Sequence, residues 1–392
     1  MGGETPKHTL ENIFRTAVAQ HKAVAAWRLP LQQEVQACVS LQEELVTNQP
    51  NLEQSPFGFL FCPFHSSAQE EQIFIKGDVY FNNTTGTVTT SADAPENEVK
   101  AFLQALQSIN SHYSGWYSSA TDQASYQTET GFKNAVEKAV AAITAEAMEK
   151  VVLSRNFSQQ LPASFSPVAA FEAMLQAYPN AFVSLVSVPG VGTWMGASPE
   201  VLVSINEEQI FKTVALAGTQ PAVENVADAI WRQKEIEEQG MVERYILSCF
   251  KSLRLREYTE VGPRTVIAGN LMHLRTDFKV DLKEIDFPTL GTDMLQLLHP
   301  TSAVCGLPKA PALQFILDHE GYNRSYYSGY LGPVNGAEGT HLFVNLRCMQ
   351  VRDHEIILYA GAGITAESNP EKEWQETQHK MQTMRRILAK FD

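Results

Sequence analysis

The hydrophobic pattern changes texture about a third of the way along the chain. Up to residue 115 or so it is short and broken. An amphipathic run at Leu10–Ala26 predicts a helix, and Phe57–Phe61, Gln72–Phe81 and Thr87–Thr90 read as strands interrupted by Asn, Thr and Gly. Ser91–Glu98 is turn chemistry leading into a helix start. Ser114–Thr128 is polar and is the linker candidate, although Trp116 and its tyrosines suit a packed loop better than a free tether. Beyond it, Phe132, Val136, Ala139/Val140 and Ile143 share one helical face of Gly131–Glu149. Lys150–Arg155 is short and β-branched, hence a strand, followed by strands at Ala181–Val188, Gly192–Ile205 and Gln209–Val214. A helix is expected from about Asn225 to Leu253. Thr340–Val351 and Glu355–Ile364 form a strand pair around Arg352–His354, and Glu371–Lys390 is a final helix. Hairpin-like strand runs with helices between blocks predict an α/β (α+β) fold with largely antiparallel sheet. The texture divides the chain into residues 1–120 and 121–392.

Composition narrows the class. The 392 residues are 44% hydrophobic and 19% charged, which excludes disordered, collagen-like and coiled-coil proteins. Thirty basic against 44 acidic side chains leave a net charge of −14, and such a surface repels a phosphate backbone, so no nucleic-acid partner is expected. No apolar run reaches the ~18–20 residues of a membrane helix, and MGGETPKHTL lacks the apolar core of a signal peptide. Pro6 stands where a myristoylation signal needs Ser or Thr. The five cysteines have no CxxC spacing and read as small buried residues in a reducing, cytoplasmic setting.

Charge in unexpected places supplies the candidate chemistry. Val242, Tyr245, Cys249 and Leu253 mark a buried helical stripe that extends back to Glu238 and Glu235. Met384 and Leu388 mark another, running back through Lys380 to Glu376 and Glu373. Unpaired core-facing carboxylates cost several kcal/mol, so a cation should meet them, and a hard divalent ion such as Mg²⁺ would do so. The same residues also fit a solvated first turn and a surface Glu376–Lys380 pair, and the pattern leaves both readings open. Lys150 at a strand start and Glu200 in the GASPEVLV turn would ordinarily be solvated. Arg347 interrupts the apolar strand LFVNLRCM. AGAGI at Ala360–Ile364 lacks the G-x-G-x-x-G frame, and there is no Walker A, HExxH or GxSxG sequence. His273 reads as a satisfied core histidine, and His299–Thr301 as a loop.

Taken in order, KVVLSR, GASPEVLV, ALAGT, KEIEEQGMV, NLMHL, LHPTSAVCG, YYSGYLGPV, VNLRCMQ and AGAGITAESNPEKEWQETQHK resemble the chorismate-utilising enzymes over Glu129–Leu388. These are the isochorismate, salicylate and aminodeoxychorismate synthases and the large subunit of anthranilate synthase. The resemblance implies large antiparallel sheets packed as a sandwich with helices outside, the N-terminal strands joining the same sheets in one integrated domain. It also implies a Mg²⁺-dependent enzyme, with Glu238 and Glu376 on the metal and Glu235 and Glu373 holding metal-bound water. On the same resemblance Lys150 would be the general base and Glu200 the general acid, and Gly218, Thr219, Ala303, Arg347, Gly361 and Lys380 would line the substrate site. Lysine at position 150 resembles the water-adding branches, where the ammonia-using ones carry glutamine. Ala303 resembles isochorismate synthases, where salicylate synthases tend to have threonine. The implied protein is therefore an isomerase, an isochorismate synthase serving menaquinone or siderophore biosynthesis, with salicylate synthase or an ammonia-using synthase as the alternative. Its partner is chorismate, with no membrane and no glutamine amidotransferase. Gln239 and Ala215 depart from the family's histidine and proline at those positions.

Overall fold

The computed structural model describes residues 8–47, 50–66, 71–108, 115–119, 126–223, 225–268 and 271–392. The N-terminal third contributes α1 (Leu10–Ala19), β1 (Ala23–Arg28), β2 (Gln36–Ser40), β3 (Gly58–Cys62), β4 (Ile73–Lys76), β5 (Val79–Asn82), β6 (Thr87–Thr90) and α2 (Glu96–Ser108). The middle follows with α3 (Glu129–Thr144), β7 (Lys150–Gln160), α4 (Pro167–Ala177), β8 (Phe182–Val188), β9 (Gly192–Ser198), β10 (Val201–Asn206), β11 (Ile210–Pro221) and α5 (Gln233–Ser252). Then come β12 (Thr259–Ala268), β13 (Leu271–Asp281), α6 (Leu290–Leu298), β14 (Gly306–Leu307), α7 (Lys309–His319) and β15 (Tyr330–Val334). The chain closes with β16 (Gly339–Val344), β17 (Cys348–Val351), β18 (Glu355–Ile364) and α8 (Pro370–Leu388).

These strands form two antiparallel sheets. One has ten strands in the order β14-β7-β18-β17-β9-β8-β1-β2-β5-β6, the other eight in the order β12-β13-β11-β10-β16-β15-β3-β4. N-terminal strands enter both sheets, with β1, β2, β5 and β6 in the first and β3 and β4 in the second. The sheets face each other across an aromatic layer that includes Trp27, Phe59, Phe61, Phe182, Trp194 and Phe343. Phe182 stacks on Phe343 at 4.1 Å between ring centroids. Burying each such ring contributes about 1.5–3 kcal/mol. Helices α1, α4 and α8 cover the outer face of the ten-stranded sheet, and α5 lies along β11 of the other. Among the described residues no helix is long and apolar enough to cross a membrane, and all five cysteines are buried free thiols.

Several predicted elements are divided, for one recurring reason. Leu10–Ala26 is a helix only to Ala19. The chain turns at His21, where φ is +56°, and Ala23–Arg28 becomes a strand buried on both faces. Gln72–Phe81 is two strands, β4 and β5, in different sheets. Gly192–Ile205 likewise breaks into β9 and β10, and Thr340–Val351 into β16 and β17, each crossing from one sheet to the other. A continuous apolar run carries no mark of which layer each half enters. The helix expected from Asn225 starts at Gln233, preceded by a single 3₁₀ turn at Val226–Asp228. In the linker candidate, residues 114 and 120–125 lie outside the described residues. Trp116 packs edge-on to Phe165, and the Tyr117 hydroxyl donates to the α1 end.

Candidate active site

The two crossings lie side by side. β9 pairs with β17 in one sheet, β10 with β16 in the other, and the backbone joins them where Val344 N donates to the Glu200 carbonyl (3.0 Å). Glu200 sits in the first crossing and Arg347 in the second. Arg347 adopts φ +49°, a conformation that costs a non-glycine residue and aims its side chain off the strand direction. A charged residue inside an apolar run is thus explained by the change of sheet.

Around these crossings a cavity gathers side chains from distant segments. Lys150, Glu200, Gly218, Glu238, Ala303, Arg347, Gly361, Glu376 and Lys380 all line it. Glu235 and Glu373 are not among its lining residues, and the Thr219 side chain lies outside the described residues. Lys150 opens β7, antiparallel to β18, whose Gly361 and Gly363 form part of the wall. A Cβ at Gly363 would stand 3.5 Å from Lys150 Nζ and 3.4 Å from Glu238 Oε1, so a larger residue would crowd both groups. Gly218 forms a bulge in β11 with φ +66°, and a Cβ there would meet the Glu235 Cβ at 3.0 Å. Lys380 reaches from α8 to the Gly361 carbonyl (2.8 Å) and to Glu376 (2.7 Å). The Glu376–Lys380 pair expected from the sequence therefore exists, and it faces the cavity.

Burial sets the proton affinities. Lys150 is 3% exposed. Its amine is pushed below the usual lysine range chiefly by desolvation, with Lys380 and Lys234 adding to the effect and Glu238 and Glu376 opposing it. Glu200, 6% exposed, is raised to about 7 by desolvation, against the pull of Lys150, Thr301 and Lys380. The cavity thus pairs an amine made less basic with a carboxyl made less acidic. Two groups driven toward neutral in one cleft have the pattern expected of an acid–base pair.

His273 is buried and hydrogen-bonded, as the sequence suggested, and it also forms part of the cavity wall. Its Nδ1–H donates to the Gly218 carbonyl (3.1 Å). Desolvation, then Arg347 and Lys380, depress it to about 3, so the ring is neutral. Tyr327 and Tyr359 also line the cavity, with no sequence signal beyond the motif containing the former. A further feature missing from the sequence reading lies beneath. Arg324 donates to Glu320 (2.8 Å), to the Val304 carbonyl (2.7 Å) and to the Val152 carbonyl (2.7 Å), while Ser154 N donates to Glu320 (2.6 Å). This buried pair ties the loop carrying Ala303 to the strand carrying Lys150.

The carboxylates differ from one another. Glu373 is buried and accepts from Lys234 at 2.8 Å through Oε1, whereas its Oε2 makes no hydrogen bond, although Ser368 helps to stabilise the charge. Glu238 Oε1 lies 4.0 Å from the same ammonium. Glu235 is turned away from the cavity. It accepts from Arg232 N (2.9 Å) at the start of α5, because a carboxylate at the third helical position satisfies an otherwise free N–H there. The buried stripe of α5 keeps the expected Val242 and Cys249 but runs through Gln239, Ile246 and Phe250 in place of Glu238, Tyr245 and Leu253. Among the described residues no three carboxylates or imidazoles form a closed metal-ligand set. Glu238 and Glu376 bring hard carboxylate oxygens to the cavity wall, with the Lys234 ammonium beside Glu238. That fits an ion such as Mg²⁺, which takes one or two carboxylates and keeps water or substrate oxygens on its other positions.

The fold and this cavity define an enzyme family, and its model matches residues 62–389: the chain belongs to the chorismate binding enzymes. Among curated relatives, isochorismate synthase DhbC of Bacillus subtilis is 30% identical over 66% of this chain and 67% of its own length. Isochorismate synthase MenF of Escherichia coli is 28% identical over 74% and 67%, and anthranilate synthase component 1 of Streptomyces coelicolor is 32% identical over 66% and 51%. The structure of Escherichia coli MenF, a menaquinone-specific isochorismate synthase, superposes with a TM-score of 0.78 at 22% identity, covering 97% of this chain and 92% of that one.

Proposed function

We propose that the protein is an isochorismate synthase, converting chorismate to isochorismate by adding water at ring C2 as the C4 hydroxyl departs. The observation that carries this reading is the opposed pair Lys150 and Glu200 in one cavity. Overall identity does not choose a branch, since an anthranilate synthase component scores as high as the isochorismate synthases. The nucleophile's requirement does. Water needs a general base, and a buried lysine with lowered proton affinity provides one, whereas ammonia is already nucleophilic.

In this mechanism neutral Lys150 takes a proton from water as its oxygen bonds to C2. The ring double bonds shift, the C4–O bond breaks, and protonated Glu200 gives its proton to the departing hydroxyl, which leaves as water. One water enters and one leaves, so the change is an isomerisation. Arg347 and Lys380 hold the enolpyruvyl carboxylate by charge-assisted hydrogen bonds, supplying positive charge at that wall of a protein whose net charge is −14. Glu238 and Glu376 would hold Mg²⁺, which supplies the positive charge that lets a dianionic substrate approach these carboxylates. Ala303 leaves that wall of the site without a hydroxyl, which favours release of isochorismate over elimination of pyruvate.

The test is product identification with chorismate and Mg²⁺, with and without ammonium. Isochorismate alone is expected. Stoichiometric pyruvate, read by lactate dehydrogenase coupling, would move the protein to the salicylate branch, and an aminated product formed in preference to isochorismate would move it to the ammonia-using one.

A further inference from the structure

Lys234 occupies an electrostatically odd position. It is the second residue of α5, where the helix dipole disfavours a cation. Its ammonium is nevertheless directed inward, bridging α5 to α8 through Glu373 (2.8 Å) with Glu238 at 4.0 Å. Desolvation alone would make it less basic, yet Glu373, Glu238 and Glu376 together outweigh that and raise its proton affinity. Glu376 already has Lys380 as its partner, so Lys234 is the cation shared by the other two carboxylates.

We infer that Lys234 is the counter-cation of this carboxylate cluster in the metal-free enzyme, and that a divalent ion reaches Glu238 only by displacing its ammonium. The inference rests on the reading of Glu238 and Glu376 as metal ligands. A Mg²⁺ ion bound about 2.0–2.1 Å from Glu238 would lie within a few ångströms of the ammonium, and the repulsion between a double and a single charge at that range excludes both together. The lysine's flexible four-carbon stem allows it to swing out. Lys234 thereby keeps the carboxylates from repelling one another before metal arrives, and lowers the affinity of the site for metal.

The test uses the full chain stripped with EDTA. Mg²⁺ affinity is measured by calorimetric titration without substrate for wild type, Lys234→Gln and Lys234→Arg, and melting is followed with and without Mg²⁺. Lys234→Gln should bind Mg²⁺ on the order of tenfold tighter or more, and should melt lower than wild type only in EDTA. Lys234→Arg, which keeps a competing cation, should bind within about twofold of wild type. In the wild type itself, labelling of Lys234 by acetic anhydride, read by mass spectrometry, should rise when Mg²⁺ is added while that of exposed Lys100 stays constant. This second arm holds even if a variant does not fold. Mg²⁺ binding that is equal or weaker in Lys234→Gln, or labelling that does not rise, overturns the inference while leaving the metal site intact. No Mg²⁺ binding by any of the three proteins overturns the metal reading and the displacement with it.

Discussion

Replacing Glu200 by glutamine separates the stability cost of this residue from its use. Its carboxyl is raised from 4.5 to about 7 by desolvation. That rise corresponds to about 3 kcal/mol between the two protonation states. The sign follows from proton counting. Between pH 4.5 and 7 the unfolded chain ionises this group while the folded one keeps it protonated, so folding becomes progressively less favourable. Below 4.5 both states are protonated and no penalty exists; above 7 the full penalty is present. Glutamine has nearly the same shape and never ionises. Glu200→Gln should therefore gain about 3 kcal/mol relative to wild type on going from pH 4.5 to pH 8, most of it before pH 7. The assay is urea unfolding of both proteins at matched pH values in EDTA. The same variant should lose roughly 10²–10⁴-fold in kcat, because it has no proton to give the departing hydroxyl, with chorismate affinity little changed. A stability difference that does not vary with pH would refute the assignment of Glu200 as a desolvated acid.

Lys150→Ala should stop water addition yet form 2-amino-2-deoxyisochorismate in high ammonium, seen by mass spectrometry, because Glu200 remains; rescue of Glu200→Gln instead would reverse the two roles. The wild-type rate should fall by about tenfold per pH unit above the higher of the Lys150 and Glu200 titrations, because the productive form needs Lys150 neutral and Glu200 protonated; a rate that keeps rising to the highest pH at which the protein stays folded would exclude Glu200 as the acid. Arg324→Gln, which leaves Glu320 buried and unpaired, should cost about 3–5 kcal/mol in chemical denaturation, and adding Glu320→Gln should recover part of that. Glu238→Ala and Glu376→Ala should remain folded by circular dichroism and be inactive, as should wild type in EDTA.

The sequence displays the helices that carry Glu238, Glu373, Glu376 and Lys380, because amphipathic periodicity announces both the helix and its inward face. It also announces that Arg347 is out of place, whereas Glu200 reads as an ordinary turn carboxylate that only the family resemblance singles out. Three other features are written in tertiary relations and leave no local trace. The sheet crossings at Pro199–Glu200 and Leu346–Arg347 look like uninterrupted strands, since apolar runs are the same whichever layer they enter. Glu235 resembles Glu238 in spacing, and only the capping geometry of α5 turns it away. The buried Glu320–Arg324 pair is an ordinary i, i+4 pair in sequence, and its burial depends on Phe64, Val152 and Val304 from three separate segments.

In the proposed reaction Lys150 and Glu200 together replace the C4 hydroxyl with water at C2. Turnover of chorismate in ¹⁸O-water, with Mg²⁺ and at low conversion, tests it directly by NMR and mass spectrometry of the product. One ¹⁸O atom per isochorismate, located in the C2 hydroxyl, is the predicted result. Isochorismate whose C2 oxygen is unlabelled would contradict it, because the hydroxyl would then have moved from C4 without passing through solvent water.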